Sequence, residues 1–108
     1  METLNHITKM FVKHSTNTSD ENAPNGESWI DYWKSQIKID IPSICPCCKQ
    51  EPTEDNQLVG AHVEEWVPVN NNKTKHFITP TCDKCNKTNK YTKARKPFQI
   101  EITHLLEI

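Results

Sequence analysis

The chain has 108 residues, of which 34% are hydrophobic, and its formal net charge is -1. This length allows one domain, and so few apolar residues bury little surface against the entropy of ordering the chain. The balanced charge excludes a protein that is basic over its whole surface. We therefore expect one small domain held by an additional cross-link, for which cysteines are the candidates.

The first 14 residues are predicted to form a short helix or a strand. Their apolar residues have the spacing of one helical face, and the alternative is a strand. These residues are Leu4, Ile7, Met10 and Phe11. Residues 15–27 are rich in polar side chains and predict a flexible linker. A single zinc-binding domain is then expected over residues 28–108.

A helix is predicted to begin after Ser28, whose hydroxyl can cap its first turn. Four large apolar residues then fall on one face: Trp29, Ile30, Trp33 and Ile37. Paired tryptophans also occur on surfaces that stack nucleic-acid bases. Their spacing on an amphipathic helix favours packing against a core.

Two CxxC pairs carry the strongest signal in the chain. Cys45 and Cys48 form the first pair, Cys82 and Cys85 form the second, and Cys47 is left over. Two such pairs complete the tetrahedral four-thiolate shell of zinc, and a closed shell makes that zinc structural. No apolar stretch resembles a signal peptide or a membrane span. We therefore expect a cytoplasmic protein with reduced thiols and no membrane partner.

The residues around the second pair predict a hairpin followed by a helix. Strands are expected at 59–63 and 76–79, and no Gly or Pro interrupts the chain between Cys85 and Pro97. A zinc knuckle, a hairpin and a helix that carries the second ligand pair make a treble clef. From residue 98 an alternating pattern predicts a terminal strand with Phe98, Ile100 and Ile102 on its buried face. The expected fold is α+β.

Six of the thirteen basic residues lie between positions 84 and 96, a stretch without acids. They are Lys84, Lys87, Lys90, Lys93, Arg95 and Lys96. The rest of the chain has seven basic and fourteen acidic residues. This asymmetry suits the binding of a polyanion such as DNA or RNA at one face, and a solvated helix face is the alternative.

Together these motifs resemble the zinc-containing branch of the HNH, or His-Me finger, nucleases. The likeness covers Cys45 to about Ala94 and rests on three segments: Cys45-x-x-Cys48, Gly60-Ala61-His62-Val63, and Ile78-Thr79-Pro80-Thr81-Cys82-Asp83-Lys84-Cys85-Asn86. The Gly-Ala-His-Val segment also resembles that of small uncharacterised bacterial zinc proteins. The resemblance implies that His62 is a general base, that Asn86 is a ligand, and that Mg2+ or Mn2+ is the catalytic ion.

Two positions differ from the nuclease pattern. Ala61 stands before His62 where an acid or histidine would ligate metal, and Phe77 stands at the place of the central asparagine. His76, one residue earlier, is then expected to point to the opposite face of its strand. His62 can instead pair with Glu64, donate a hydrogen bond to a cysteine sulfur, or replace a zinc ligand.

The sequence therefore predicts a small, zinc-stabilised, HNH-like treble-clef domain that binds nucleic acid and is catalytically degenerate. The alternatives are an active metal-dependent HNH endonuclease and a non-catalytic module that binds an acidic protein partner.

Overall fold

The computed structural model describes residues 8–15, 23–24, 26–66, 74–91 and 97–108, with the backbone alone over 88–91. In chain order its elements are β1 (Lys9–His14), α1 (Trp29–Ile37), β2 (Leu58–Glu65), β3 (His76–Cys82), α2 (Asp83–Tyr91), β4 (Phe98–Glu101), a 3-10 helix (Ile102–His104) and β5 (Leu106–Glu107). All strands join one five-stranded antiparallel sheet in the order β4-β1-β2-β3-β5. The α+β class predicted from the sequence is confirmed.

The N-terminal segment forms a strand over its described residues, so the helical alternative was wrong there. Val12 and His14 are buried, whereas Phe11 between them is 48% exposed. Such alternation is the period of a strand with one buried face, and it overrides the helical spacing of Met10 and Phe11. The other apolar residues used for that prediction, Leu4 and Ile7, lie outside the described residues.

β1 lies between β2 and β4 and is therefore part of the main sheet. At the far end of the predicted linker, Ala23 is 3% exposed, and its carbonyl accepts a hydrogen bond from the N–H of Gly26 at 3.0 Å. This end of the segment packs against the domain, and residues 16–22 and 25 lie outside the described residues. The boundaries of the linker remain a prediction.

Helix α1 forms as predicted. The N–H of Asp31 donates to the Ser28 hydroxyl at 3.3 Å, and the helix ends at Lys38 in a left-handed conformation. Trp33 is fully buried, and its indole N–H donates to the carbonyl of His104 at 2.8 Å. The core interpretation of this tryptophan is confirmed.

The sheet must curl, because its two edge strands are joined by residues 102–105 alone. A flat sheet would separate β4 from β5 by about 19 Å, whereas the connection spans at most about 17 Å when fully extended. Its 3-10 helix shortens it further. The C-terminal strand is accordingly shorter than predicted, and Ile102, expected on its buried face, is 39% exposed.

A hydrogen bond between distant strands supports the same curvature. The imidazole Nε2 of His14 lies 3.2 Å from the hydroxyl of Thr81, although the register places their Cα atoms about 16 Å apart in a flat sheet. The concave face holds the main apolar cluster: Val12, Ala61, Val63, Phe77, Phe98, Ile100 and Leu105.

Helix α1 packs on the opposite, convex face at Gly60. A Cβ atom at this position would lie 2.5 Å from the backbone of Trp29 and of Ile30. Because backbone atoms cannot move aside easily, only glycine lets the helix approach β2 this closely. The register puts Gly60 on the same face as His62 and Cys82.

Gly60→Ala should lower the free energy of unfolding by about 1–3 kcal/mol, because the added methyl group overpacks the contact between α1 and β2. Urea denaturation of the metal-loaded protein measures this loss. Gly26→Ala is the matched control, since its φ of 79° carries a backbone cost of about 1 kcal/mol but no atom lies within 4 Å of the new methyl. An unchanged free energy of unfolding in Gly60→Ala would contradict the close approach.

Candidate metal centre

Four cysteines from three parts of the fold meet at one end of the β2–β3 hairpin. Cys45 and Cys48 lie on the loop between α1 and β2, Cys82 ends β3, and Cys85 lies in the first turn of α2. Their sulfur atoms all lie within 4.8 Å of one another, and Cys45 and Cys82 are buried. The structure thus groups the four cysteines that the sequence paired, and this cysteine cluster could hold a metal ion.

The first pair sits in a tight turn. The N–H of Lys49 donates to the carbonyl of Cys45 at 2.8 Å, and the N–H of Cys45 donates to the carbonyl of Gln50 at 2.9 Å. Lys49 adopts a left-handed conformation with φ of 65°. The turn brings the sulfurs of Cys45 and Cys48 to the same side, as a zinc knuckle requires.

Backbone N–H groups point at the sulfurs. Those of Cys47 and Cys82 each lie 3.3 Å from the sulfur of Cys45, and that of Cys85 lies 3.4 Å from the sulfur of Cys82. Such donors stabilise thiolates over thiols, because they offset negative charge on sulfur. These N–H groups therefore favour the ionised form of Cys45 and Cys82.

Asn56 supports the cluster, although no sequence motif pointed to this residue. Its side-chain oxygen accepts a hydrogen bond from the N–H of Lys84 at 2.8 Å, at the start of α2. Its side chain also helps to lower the pKa of the Cys82 thiol. One side chain thus caps the start of α2 and also favours the ionised form of Cys82.

Burial opposes the ionisation of part of the cluster. Burial raises the pKa of Cys45, and burial together with the neighbouring thiols raises the pKa of Cys85 far above its ordinary value. Burial also acts to raise the pKa of Cys82, but the N–H of Cys85 and the amide of Asn56 outweigh it and lower that pKa. A bound cation would lower the pKa values of Cys45 and Cys85, because its positive charge compensates the negative charge of the thiolates.

The donor set and its spacing fit zinc. Tetrahedral ligands at the usual zinc–sulfur distance of about 2.3 Å place their sulfurs about 3.8 Å apart, and the sulfurs of Cys48 and Cys82 are 3.8 Å apart. Four thiolates fill the tetrahedron, so the ion would be structural. The cluster borders an open cleft of about 510 Å³, through which an ion or chelator can reach it.

Cys47 is not part of the four-cysteine group, as the sequence predicted. It is half-buried, lines the same cleft, and packs against the apolar cluster of the concave face.

His62 lies away from the cysteines. It pairs with Ile78, four residues before Cys82 on β3, which is about 13 Å along the strand. Its Nε2 lies instead 3.0 Å from Nδ1 of His76. His76 faces the side of β3 opposite to Phe77, as expected, and the register puts it on the convex face together with His62.

The remaining predicted site residues lie on or beyond α2. Asn86 is half-buried and directly follows Cys85. Lys84 is exposed and lines the cleft, whereas the ammonium of Lys87 pairs with the carboxylate of Asp83 at 2.9 Å. The side chains of Lys90, Lys93, Arg95 and Lys96 lie outside the described residues.

No protein-family model, curated protein or solved structure matched this chain. Over the described residues, no helix is long and apolar enough to cross a membrane. The functional assignment therefore depends on the geometry of the chain itself.

Replacing any one of Cys45, Cys48, Cys82 or Cys85 by Ser should reduce the zinc content of purified, reduced protein from about one ion per chain to near zero, because each supplies one of the four ligands. The module should unfold with it, since metal binding and folding are coupled. Elemental analysis and circular dichroism measure the two effects. Cys47→Ser is the matched control and should keep its zinc; loss of zinc from this variant, or its absence from the parent, would contradict the ligand set.

Asn56→Asp should separate the two roles of this side chain. The carboxylate can still accept the N–H of Lys84, but it adds negative charge beside the thiolates. Zinc affinity, measured by competition with a chelator, should fall about 10–100-fold. Asn56→Ala should in addition lose the helix cap, at about 1 kcal/mol of stability. An unchanged zinc affinity in Asn56→Asp would contradict a role of the Asn56 amide at the metal centre.

Proposed function

We propose that this protein is a structural-zinc module of the treble-clef type that binds nucleic acid through its basic segment, residues 84–96. The observation that carries the zinc assignment is the cluster of four thiols. The chain order around it supports a treble clef: a tight turn holds the first ligand pair, and a hairpin then leads into a helix that carries Cys85.

The basic segment starts at the metal centre, and this position supports its role in binding. Asn56 fixes the first turn of α2, so Lys84 and Lys87 project from a backbone that is held in place. Lys84 is exposed, and the side chain of Lys87 is 69% exposed although it pairs with Asp83. A rigid basic helix can follow the spacing of phosphates, and this contact needs no particular base sequence.

The ion pair between Lys87 and Asp83 lowers the positive charge that this helix presents. A phosphate must compete with the carboxylate of Asp83 for the ammonium group. The affinity for nucleic acid should therefore depend on an acid that makes no contact with it, and this dependence provides the test.

Binding of labelled DNA and RNA oligonucleotides, measured by fluorescence anisotropy, should weaken steeply as salt rises, since each phosphate contact contributes about -0.9 to the logarithmic salt slope. Lys84→Gln should lower the affinity and reduce that slope by about one contact. Asp83→Asn should raise the affinity, because it frees Lys87. Lys34→Gln, which removes an exposed lysine from α1, is the matched control and should change neither value.

The alternative functions appear as distinct outcomes of the same measurements. Absence of binding to every oligonucleotide at low salt would overturn the proposal and leave a module that binds an acidic protein. Cleavage of DNA with Mg2+ or Mn2+ that is lost in His62→Ala would instead show an active endonuclease that requires His62, and its loss in Asn86→Ala as well would support Asn86 as a ligand. The present geometry favours binding alone, because Nε2 of His62 is engaged by His76.

A further inference from the structure

A second group of ligand-type side chains lies on the convex face, at the end of the β2–β3 hairpin away from the cysteines. The rings of His62 and His76 meet edge to face, with centroids 5.1 Å apart and an interplanar angle of 82°. His62 stands opposite Ile78 and His76 stands opposite Glu64, so the two histidines are diagonal neighbours on one face. Both are half-buried and so accessible from solvent.

The two imidazole nitrogens are separated by the distance that a shared metal ion requires. Nε2 of His62 lies 3.0 Å from Nδ1 of His76. Two nitrogens bound at about 2.1 Å lie about 3.0 Å apart when their bonds make a right angle and about 3.4 Å apart in a tetrahedron. An ion can therefore replace the hydrogen bond with small rotations of the two rings.

A metal ion can replace the hydrogen bond between the two imidazoles without changing the total number of protons on the neutral rings. In the present contact one imidazole donates its N–H to the other ring. With a metal bound, the proton of His62 resides on Nδ1 and that of His76 on Nε2, so that both facing nitrogens present lone pairs. Only the tautomer of the donating ring changes.

Glu64 adds a carboxylate beside the pair. It directly faces His76 across the strands, and the Cβ atoms of two residues in this arrangement lie about 5 Å apart. The carboxylate now accepts a hydrogen bond from the hydroxyl of Ser15 at 3.1 Å and pairs with Lys13 at 3.7 Å. Its negative charge favours a cation at this place, and it can become a third ligand by leaving Lys13.

We propose that His62 and His76 form a second metal site, specific for a divalent transition ion such as Ni2+ or Zn2+ and completed by water or by Glu64. Imidazole nitrogens suit these ions, whereas the thiolates select zinc at the cysteine cluster. The separation of about 13 Å along the strand keeps the two sites independent. This site is separate from nucleic-acid binding, and a His62 that ligates metal through Nε2 cannot use that nitrogen as a general base.

Calorimetric titration of untagged, reduced, zinc-loaded protein with Ni2+ should show one Ni2+ site per chain beyond the bound zinc. His62→Ala and His76→Ala should each weaken Ni2+ binding more than about tenfold, since loss of a mere supporting partner already costs about 10–100-fold. Zinc content should stay unchanged in both. His104→Ala, which removes a half-buried imidazole elsewhere, is the matched control and should bind Ni2+ like the parent. Glu64→Gln reports whether the carboxylate is a ligand.

Nuclear magnetic resonance of the unaltered protein supplies a test that does not depend on the folding of variants. Paramagnetic Ni2+ should broaden the ring signals of His62 and His76 at substoichiometric amounts and leave those of His104 sharp. Absence of Ni2+ binding at millimolar ion, equal binding by the parent and both histidine variants, or broadening of all histidines alike would each overturn the second site.

Discussion

Four thiols from a loop, a strand end and a helix start converge at one place, and a metal ion bound there would cross-link these three parts of the fold. Among the residues that the structure describes, the apolar cluster of the concave face has seven buried members, and the chain as a whole is 34% hydrophobic. Structural zinc in small modules binds with apparent free energies of about 10–16 kcal/mol, which equals or exceeds the net stability of a typical domain, about 5–15 kcal/mol. An ion held by Cys45, Cys48, Cys82 and Cys85 would therefore decide whether the domain folds.

Features encoded over a few residues could be predicted from the sequence. The CxxC spacing needs only one turn to align two sulfurs, so both pairs were recognised, and Cys47 was excluded because adjacent side chains diverge. Helix α1 was equally local, since Ser28 caps it and Trp33 marks its buried face. The hairpin strands and the helix after Cys82 were also predicted close to their observed positions.

Features that depend on distant parts of the chain could not be predicted from the sequence. The first segment stayed undecided between a helix and a strand, because Met10 and Phe11 suit a helix locally. Its position between β2 and β4, which decides for the strand, exists only in the folded sheet. Asn56 acts on Lys84 and Cys82, which lie far along the chain. Its role follows from how the loop folds over the helix start, which neither its residue type nor its neighbours indicate.

The register of one hairpin links the metal centre to the histidine pair. His62 opposite Ile78 and Leu58 opposite Cys82 belong to the same ladder, so Cys82 and both histidines share the convex face. A shift of β3 by one residue would turn Cys82 and His76 toward the apolar interior, away from His62 on β2. Helix α1 packs against this ladder at Gly60, because it can lie against β2 only where no side chain intervenes. The contact that packs the helix therefore also holds the two strands that place Cys82, His62 and His76 on one face of the sheet.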